Sequence, residues 1–223
     1  MHALDNPLWS SLTTVHKAFA LEAHGLIRYP AEVAPFLAMR ESGAIAPEAL
    51  AALVDAPAFM LGPRPTLPAG WQLEDLGVIL QMVCDAPLSV PPGPPVVALD
   101  ATDRPAILEL ASLVYPHYFR PRTPELGSYH GVRGDNRLDA MIGERMALPG
   151  LREISAVCTH PTCVGRGLAR RLLAIASNAI LERGETPFLH VSPNNTRAVH
   201  LYEQNGYRHR IDMPFWAVCR APA

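Results

Sequence analysis

His160-Pro161-Thr162-Cys163-Val164-Gly165-Arg166-Gly167-Leu168-Ala169 is the stretch on which the reading of this chain turns. It joins a run of strand character, 153–159, to a strongly periodic one, 167–183. In the latter, Leu168, Leu172, Ile175, Ala176, Ala179 and Ile180 fall on one helical face, and Gly184 stands past the end. Two glycines between a strand and a helix let the backbone turn tightly and present bare amides. A helix N-terminus adds unpaired N–H donors and a partial positive charge. Such a loop can cradle a pyrophosphate. The same glycines would also serve an ordinary tight turn, so the pair alone leaves both readings open. It is not a Walker loop, because no Gly-Lys-Ser/Thr follows. Nor is it a dinucleotide fingerprint: the third glycine is missing, and a hairpin rather than a parallel crossover precedes it.

Outward from this loop the pattern is regular. On the C-terminal side a strand is expected at 187–191, then a helix at 195–205 ending at Gly206, then strands at 207–211 and 215–219. On the N-terminal side, Pro149-Gly150 and Gly134-Asp135-Asn136 read as turns linking strands at 128–133, 137–147 and 153–159. Before them, a short strand at 96–99 leads to a helix with Thr102 or Asp103 as cap and Pro105 in its first turn. Helices alternating with strands around one sheet make the fold class α/β (α+β). Ala86-Pro-Leu-Ser-Val-Pro-Pro-Gly-Pro-Pro95 holds five prolines in ten residues and reads as a semi-rigid linker, placing a boundary near residue 95. Ahead of it, Asn6-Pro7 opens a short helix, and 58–61 and 78–83 read as short buried strands. No catalytic constellation is visible before residue 95.

Composition narrows the function further. The 223 residues are 49% hydrophobic and 18% charged, which suits a folded core and excludes wholesale disorder. Nineteen basic against 21 acidic residues, a net charge of −2, argue against holding nucleic acid or anionic lipid by bulk charge. The four cysteines form no CxxC pair, and no His cluster at zinc spacing accompanies them, so free thiols and no metal are expected. The start lacks the look of a signal peptide, and no apolar run approaches the ~20 residues of a membrane helix. A cytoplasmic protein, monomer or homodimer, is the expectation.

The run from Glu153 to Tyr207 resembles the GNAT superfamily of acyl-CoA-dependent N-acyltransferases. That family's loop reads Gln/Arg-x-x-Gly-x-Gly/Ala, and Val164-Gly-Arg-Gly167-Leu-Ala169 matches both small positions. Val164 departs from the usual Gln or Arg. Asn194-Asn195-Thr-Arg-Ala198-Val-His-Leu201-Tyr202-Glu-Gln-Asn-Gly206-Tyr207 looks like the second conserved block, Asn-x-x-Ala-x-x-Leu-Tyr-x-x-x-Gly-Phe/Tyr. The resemblance covers roughly residues 96–223 and implies a mixed, mostly antiparallel sheet flanked by helices. Within the superfamily it resembles a bacterial branch with a C-terminal acyltransferase domain, which implies that the N-terminal part, here 1–95, is an eroded partial copy of the same fold. It implies acetyl-CoA as co-substrate and a small-molecule or peptide amine as acceptor. A non-catalytic acyl-CoA-binding or sensing module is the alternative.

Acyl transfer to an amine poses two proton problems. An alkylammonium of pKa ~10 holds its proton at pH 7 against a cost of about 4 kcal/mol. A thiolate with a reference pKa of ~8.5 is a better leaving group when an acid protonates it. For the base, Glu153 stands eleven positions before Val164, as the strand-four glutamate of relatives does, and Glu144 is the rival. Either carboxylate could instead pair with Arg145 or Arg152. For the acid, Tyr202 lies on the helix that in relatives flanks the CoA sulfur. The resemblance further implies that the backbone of Val157, Cys158 and Thr159 pairs with the pantetheine arm. Val164, Gly165, Arg166, Gly167, Leu168 and Ala169 would hold the phosphates, with Arg170 in reach, and Asn195 would contact the cofactor. The stiff aromatic segment 115–124 falls at the acceptor loop, which makes His117, Tyr118, Phe119, Arg120 and Arg122 acceptor candidates. Its two arginines hint at a carboxylate or phosphate on the acceptor.

Overall fold

The computed structural model describes residues 2–222. Asn6 caps α1 (Pro7–Thr13) through its side chain, with proline in the first turn, as the spacing predicts. A three-stranded antiparallel sheet follows, β1 (Leu21–Ala23), β2 (Leu26–Arg28) and β3 (Leu37–Met39). Then come β4 (Gly43–Ala44), α2 (Pro47–Leu53), β5 (Ala58–Leu61), β6 (Pro65–Thr66) and the long β7 (Trp71–Val83). After the proline-rich segment lie β8 (Val97–Leu99), α3 (Arg104–Val114), β9 (Tyr129–Arg133), β10 (Leu138–Leu148) and β11 (Leu151–Thr159). The chain closes with α4 (Leu168–Glu182), β12 (Thr186–Val191), α5 (Thr196–Gln204) and β13 (Arg208–Arg220).

Eight strands form one sheet in the order β5-β13-β7-β12-β11-β10-β9-β8. All pairings are antiparallel except β11 with β12, which the α4 crossover makes parallel. Strand β10, between β11 and β9, is buried at every position. Successive side chains point to opposite faces, and helices cover both. On one, Ile107, Leu110 and Ala111 of α3 pack with Met141, Tyr129 and Cys158. On the other, Leu168, Leu172, Leu173, Ala176 and Ile180 of α4 pack with Ile142, Ile154 and Leu189. Each such fully buried aliphatic side chain contributes about 1.5–3 kcal/mol of transfer free energy. Among the described residues, no helix is long and apolar enough to cross a membrane.

Three expectations change in detail. The strand expected at 78–83 runs from 71, and the two short strands at the C-terminus are one, β13, whose register shifts at 209–211 and 214–216 keep it continuous. The first turn of α3 is not capped by Thr102 or Asp103; Asp100 accepts from the Thr102 amide and caps the 3-10 turn that leads in. Strand β7 inserts between β12 and β13, and β5 pairs with β13, so residues on both sides of the proline segment share one sheet.

Candidate active site

Strands β11 and β12 pair only from Leu151–Thr186 to Glu153–Phe188. Beyond Glu153 they diverge, and the edge of β11 that faces β12 has no ladder partner. A bulge sharpens the divergence: Ser155 and Cys158 oppose Gly143 and Met141, which leaves two residues of β11 against one of β10. Ala156, one of the two, sits at φ +50°. The gap opens into a cleft of about 800 Å³, lined by 153–159 on one wall and 190–192 on the other.

At one end lie Val164, Gly165, Gly167, Leu168, Ala169, Arg170, Asn195 and Arg197. Gly165 and Gly167 adopt φ +87° and +77°, the left-handed region that glycine reaches without strain, and no atom stands within 4 Å of where a Cβ would be. Gly167 is the N-cap of α4 and offers no side-chain acceptor, so the first amides of this fifteen-residue helix open unpaired onto the cleft. Such a cradle fits a pyrophosphate. Asn195 accepts from the Ala198 amide and so caps α5 at the cleft wall.

The middle of the cleft holds a buried ionic network. Glu153 accepts from Arg145 Nε at 2.7 Å and Nη2 at 2.6 Å, from the Met146 amide at 3.2 Å and from His190 Nδ1 at 2.8 Å. Burial would raise the Glu153 carboxyl, but the Arg145 charge and the donors around it outweigh that and hold it at about 2. His190 Nε2 lies 3.1 Å from Gln81 Nε2. Gln81 Oε1 accepts from Arg210 Nη1, so its amide nitrogen must donate, and His190 accepts at Nε2 and donates at Nδ1. Tyr202 borders the same space, 8% exposed, with its phenol raised by burial and hence protonated at neutral pH. At the far end stand Leu76, Val78, Ile79, Val114, Tyr115, Tyr118 and Phe215. Among the described residues, no group of three or more His, Cys, Asp or Glu is placed to hold a metal.

The FR47-like protein family matches residues 126–217. A GNAT-family structure from Novosphingobium aromaticivorans is 35% identical, superposes with a TM-score of 0.88, and each chain is covered over 100% of its length. This chain belongs to the GNAT family. The GNAT fold recurs at much lower identity in a GCN5-related N-acetyltransferase from Kribbella flavida, at 16% with a TM-score of 0.61 over 97% of this chain and 95% of that one. A GNAT-family acetyltransferase from Colwellia psychrerythraea gives 12% and 0.56, over 99% and 98%. No curated protein matches the chain.

The GNAT cleft gathers most, not all, of the residues expected from the sequence. Val157, Cys158, Thr159, Val164, Gly165, Gly167, Leu168, Ala169, Asn195, Glu153, Tyr202 and Tyr118 border it. Arg166 does not; its guanidinium turns away to Asp139 at 3.5 Å and Cys163 Sγ at 3.4 Å, while Arg170 and Arg197 face the cleft. Glu144 is also elsewhere, engaged by Arg183 at 2.7 Å and Arg152 at 3.7 Å. In the acceptor loop, His117 and Phe119 pack against Tyr118 and Tyr129, and Arg120 donates to the carbonyls of His117 and Phe119. Arg122 pairs with Glu125 and Glu32. Arg122 is thus neutralised by carboxylates, Arg120 is held against its own loop through Nη1, and neither lines the cleft. Glu153 is in place, but four donors occupy the roughly four lone-pair positions of a carboxylate, which disfavours it as the base. The alternative that the carboxylates pair with Arg145 or Arg152 holds for Glu153 with Arg145 and for Glu144 with Arg152, whereas sequence reasoning missed His190 and the β7 wall of Leu76, Val78 and Ile79.

Proposed function

We propose that this protein is an acyl-CoA-dependent N-acyltransferase that moves an acetyl group from acetyl-CoA to an amine within a ternary complex. The observation that carries the reading is the uncapped N-terminus of α4 opening, through two left-handed glycines, onto the gap between β11 and β12. Acetyl-CoA, when bound, supplies a thioester whose acyl carbon an amine can attack directly. The amides of Leu168 and Ala169 would bind phosphate oxygens, with Arg170 and Arg197 adding charge. The unpaired edge of Val157–Thr159 would bind the amide-bearing arm as an added strand does. Tyr202 would donate from Oη toward the departing sulfur. Arg145 and Glu153 keep the middle of the cleft rigid and electrically neutral, and the amine proton leaves through the open mouth to solvent.

Calorimetry with acetyl-CoA and desulfo-CoA on the wild type and Gly167→Glu tests the reading. Micromolar binding to the wild type, weakened at least tenfold by a carboxylate in the cradle, is the expected result. A wild type that binds neither ligand refutes the acyltransferase. Binding without turnover over a panel of amines would instead favour a non-catalytic acyl-CoA-binding module.

A further inference from the structure

The end of the cleft away from the cradle has its own chemistry. Its walls come from β7 (Leu76, Val78, Ile79), β13 (Phe215), the end of α3 (Val114) and the following loop (Tyr115, Tyr118). None of these side chains is charged at neutral pH. Val78, Val114 and Tyr115 are 41%, 38% and 36% exposed, three of eight large apolar side chains so exposed among the described residues, and they converge here. Exposed apolar side chains gathered at one spot of a cleft mark a contact with something apolar. Tyr118 sits at the hub of a ring cluster, 4.9 Å from Phe59, 5.8 Å from Phe215 and 5.8 Å from Tyr115 between centroids. The ring faces offer a cationic amine attraction without a formal negative charge. Arg170 and Arg197 lie at the cradle end, while Arg145, the cation in the middle of the cleft, stands over the Phe36 ring at 4.9 Å and is already paired with Glu153. A carboxylate brought to it would have to share a buried guanidinium with a second anion.

We infer that the acceptor is a primary amine on an apolar, aromatic-sized body with no carboxylate or phosphate beside the amine. This rests on the acetyl-transfer reading. It separates the acceptors otherwise open, because free amino acids carry the anion that this end has no group to receive.

The test is calorimetric titration of 2-phenylethylamine, L-phenylalanine and ethanolamine into the full chain, with and without saturating desulfo-CoA, beside a titration of acetyl-CoA. These probes share an amine and differ in carboxylate and apolar body. Phenylethylamine should bind at least tenfold tighter than either other amine. Val78→Asp, at an exposed position, should weaken it at least tenfold while leaving the circular dichroism spectrum and acetyl-CoA affinity unchanged. Equal or tighter binding of phenylalanine or ethanolamine, or no phenylethylamine heat, overturns the inference and leaves the acetyl-transfer reading if acetyl-CoA binds. Absence of acetyl-CoA binding overturns both.

Discussion

Arg145 and Glu153 meet edge to edge, Nε to Oε2 at 2.7 Å and Nη2 to Oε1 at 2.6 Å, with the carboxylate 1% exposed on the floor of the cleft. Such a fork-to-fork pair is geometrically demanding and electrostatically closed. A glutamate in this arrangement is a fixed anion that balances a fixed cation.

Glu153→Gln should therefore act first on stability. It leaves the Arg145 charge buried without a counterion, at a cost of about 3–5 kcal/mol. Chemical denaturation should show that loss, and Arg145→Met combined with Glu153→Gln should recover most of it. With the wild type, log kcat/KM for an amine should rise with pH at unit slope from pH 6 toward the amine's own pKa. A plateau starting near pH 7 would reinstate an enzymic base.

Acid should destabilise the fold in two stages. His16 is buried against Tyr29, its Nδ1 3.0 Å from that hydroxyl, and burial lowers it from 6.5 to about 4. Between those values the unfolded chain binds a proton that the native one does not, so stability falls as pH drops, by about 1.4 kcal/mol per unit. Glu153 acts lower. Its depressed carboxyl contributes stability that is complete above about 4.5 and lost as pH falls toward about 2, on the order of 3 kcal/mol. Denaturation midpoints measured from pH 8 to 3 should be level above pH 7 and decline below 6.5. Burial lowers His130 in the same direction, so His16→Phe should shrink the upper stage without abolishing it and leave the lower stage intact.

How much of this was legible in the chain follows the range of the interactions. Asn6 and Asn195 cap their own helices, α4 shows its apolar face at period 3.6, and Gly165 and Gly167 announce a left-handed turn; all are decided within a few residues. The strand insertion of β7 is decided by pairing with β12 and β13, more than 100 positions away, for which no local pattern exists. The same holds for side chains. His190 reaches Glu153 across 37 positions, Gln81 reaches His190 across 109, and Arg122 is claimed by Glu32 across 90. An arginine beside an aromatic loop looks available until the partner that occupies it is known. Arg145 and Glu153, four residues to either side of Pro149 in a tight turn, are close enough in sequence for their pairing to be legible as an alternative to a free base.

Tyr202 gives the sharpest test of chemistry, because its ring and its hydroxyl can be separated. The ring packs among Leu168, Leu172, Val191 and Tyr207, the last 6.0 Å away between centroids, and phenylalanine would keep those contacts. The hydroxyl makes no hydrogen bond to the protein among the described residues, so its loss leaves no buried partner stranded. Tyr202→Phe should thus match the wild type in melting temperature and in acetyl-CoA affinity. If Oη donates to the leaving sulfur, kcat should fall roughly a hundredfold or more, the usual scale of general acid catalysis. The loss should shrink with an acyl donor whose thiol has a lower pKa, since a better leaving group needs less help. A variant that turns over like the wild type on both donors would assign Tyr202 to packing and leave the sulfur to be protonated by solvent.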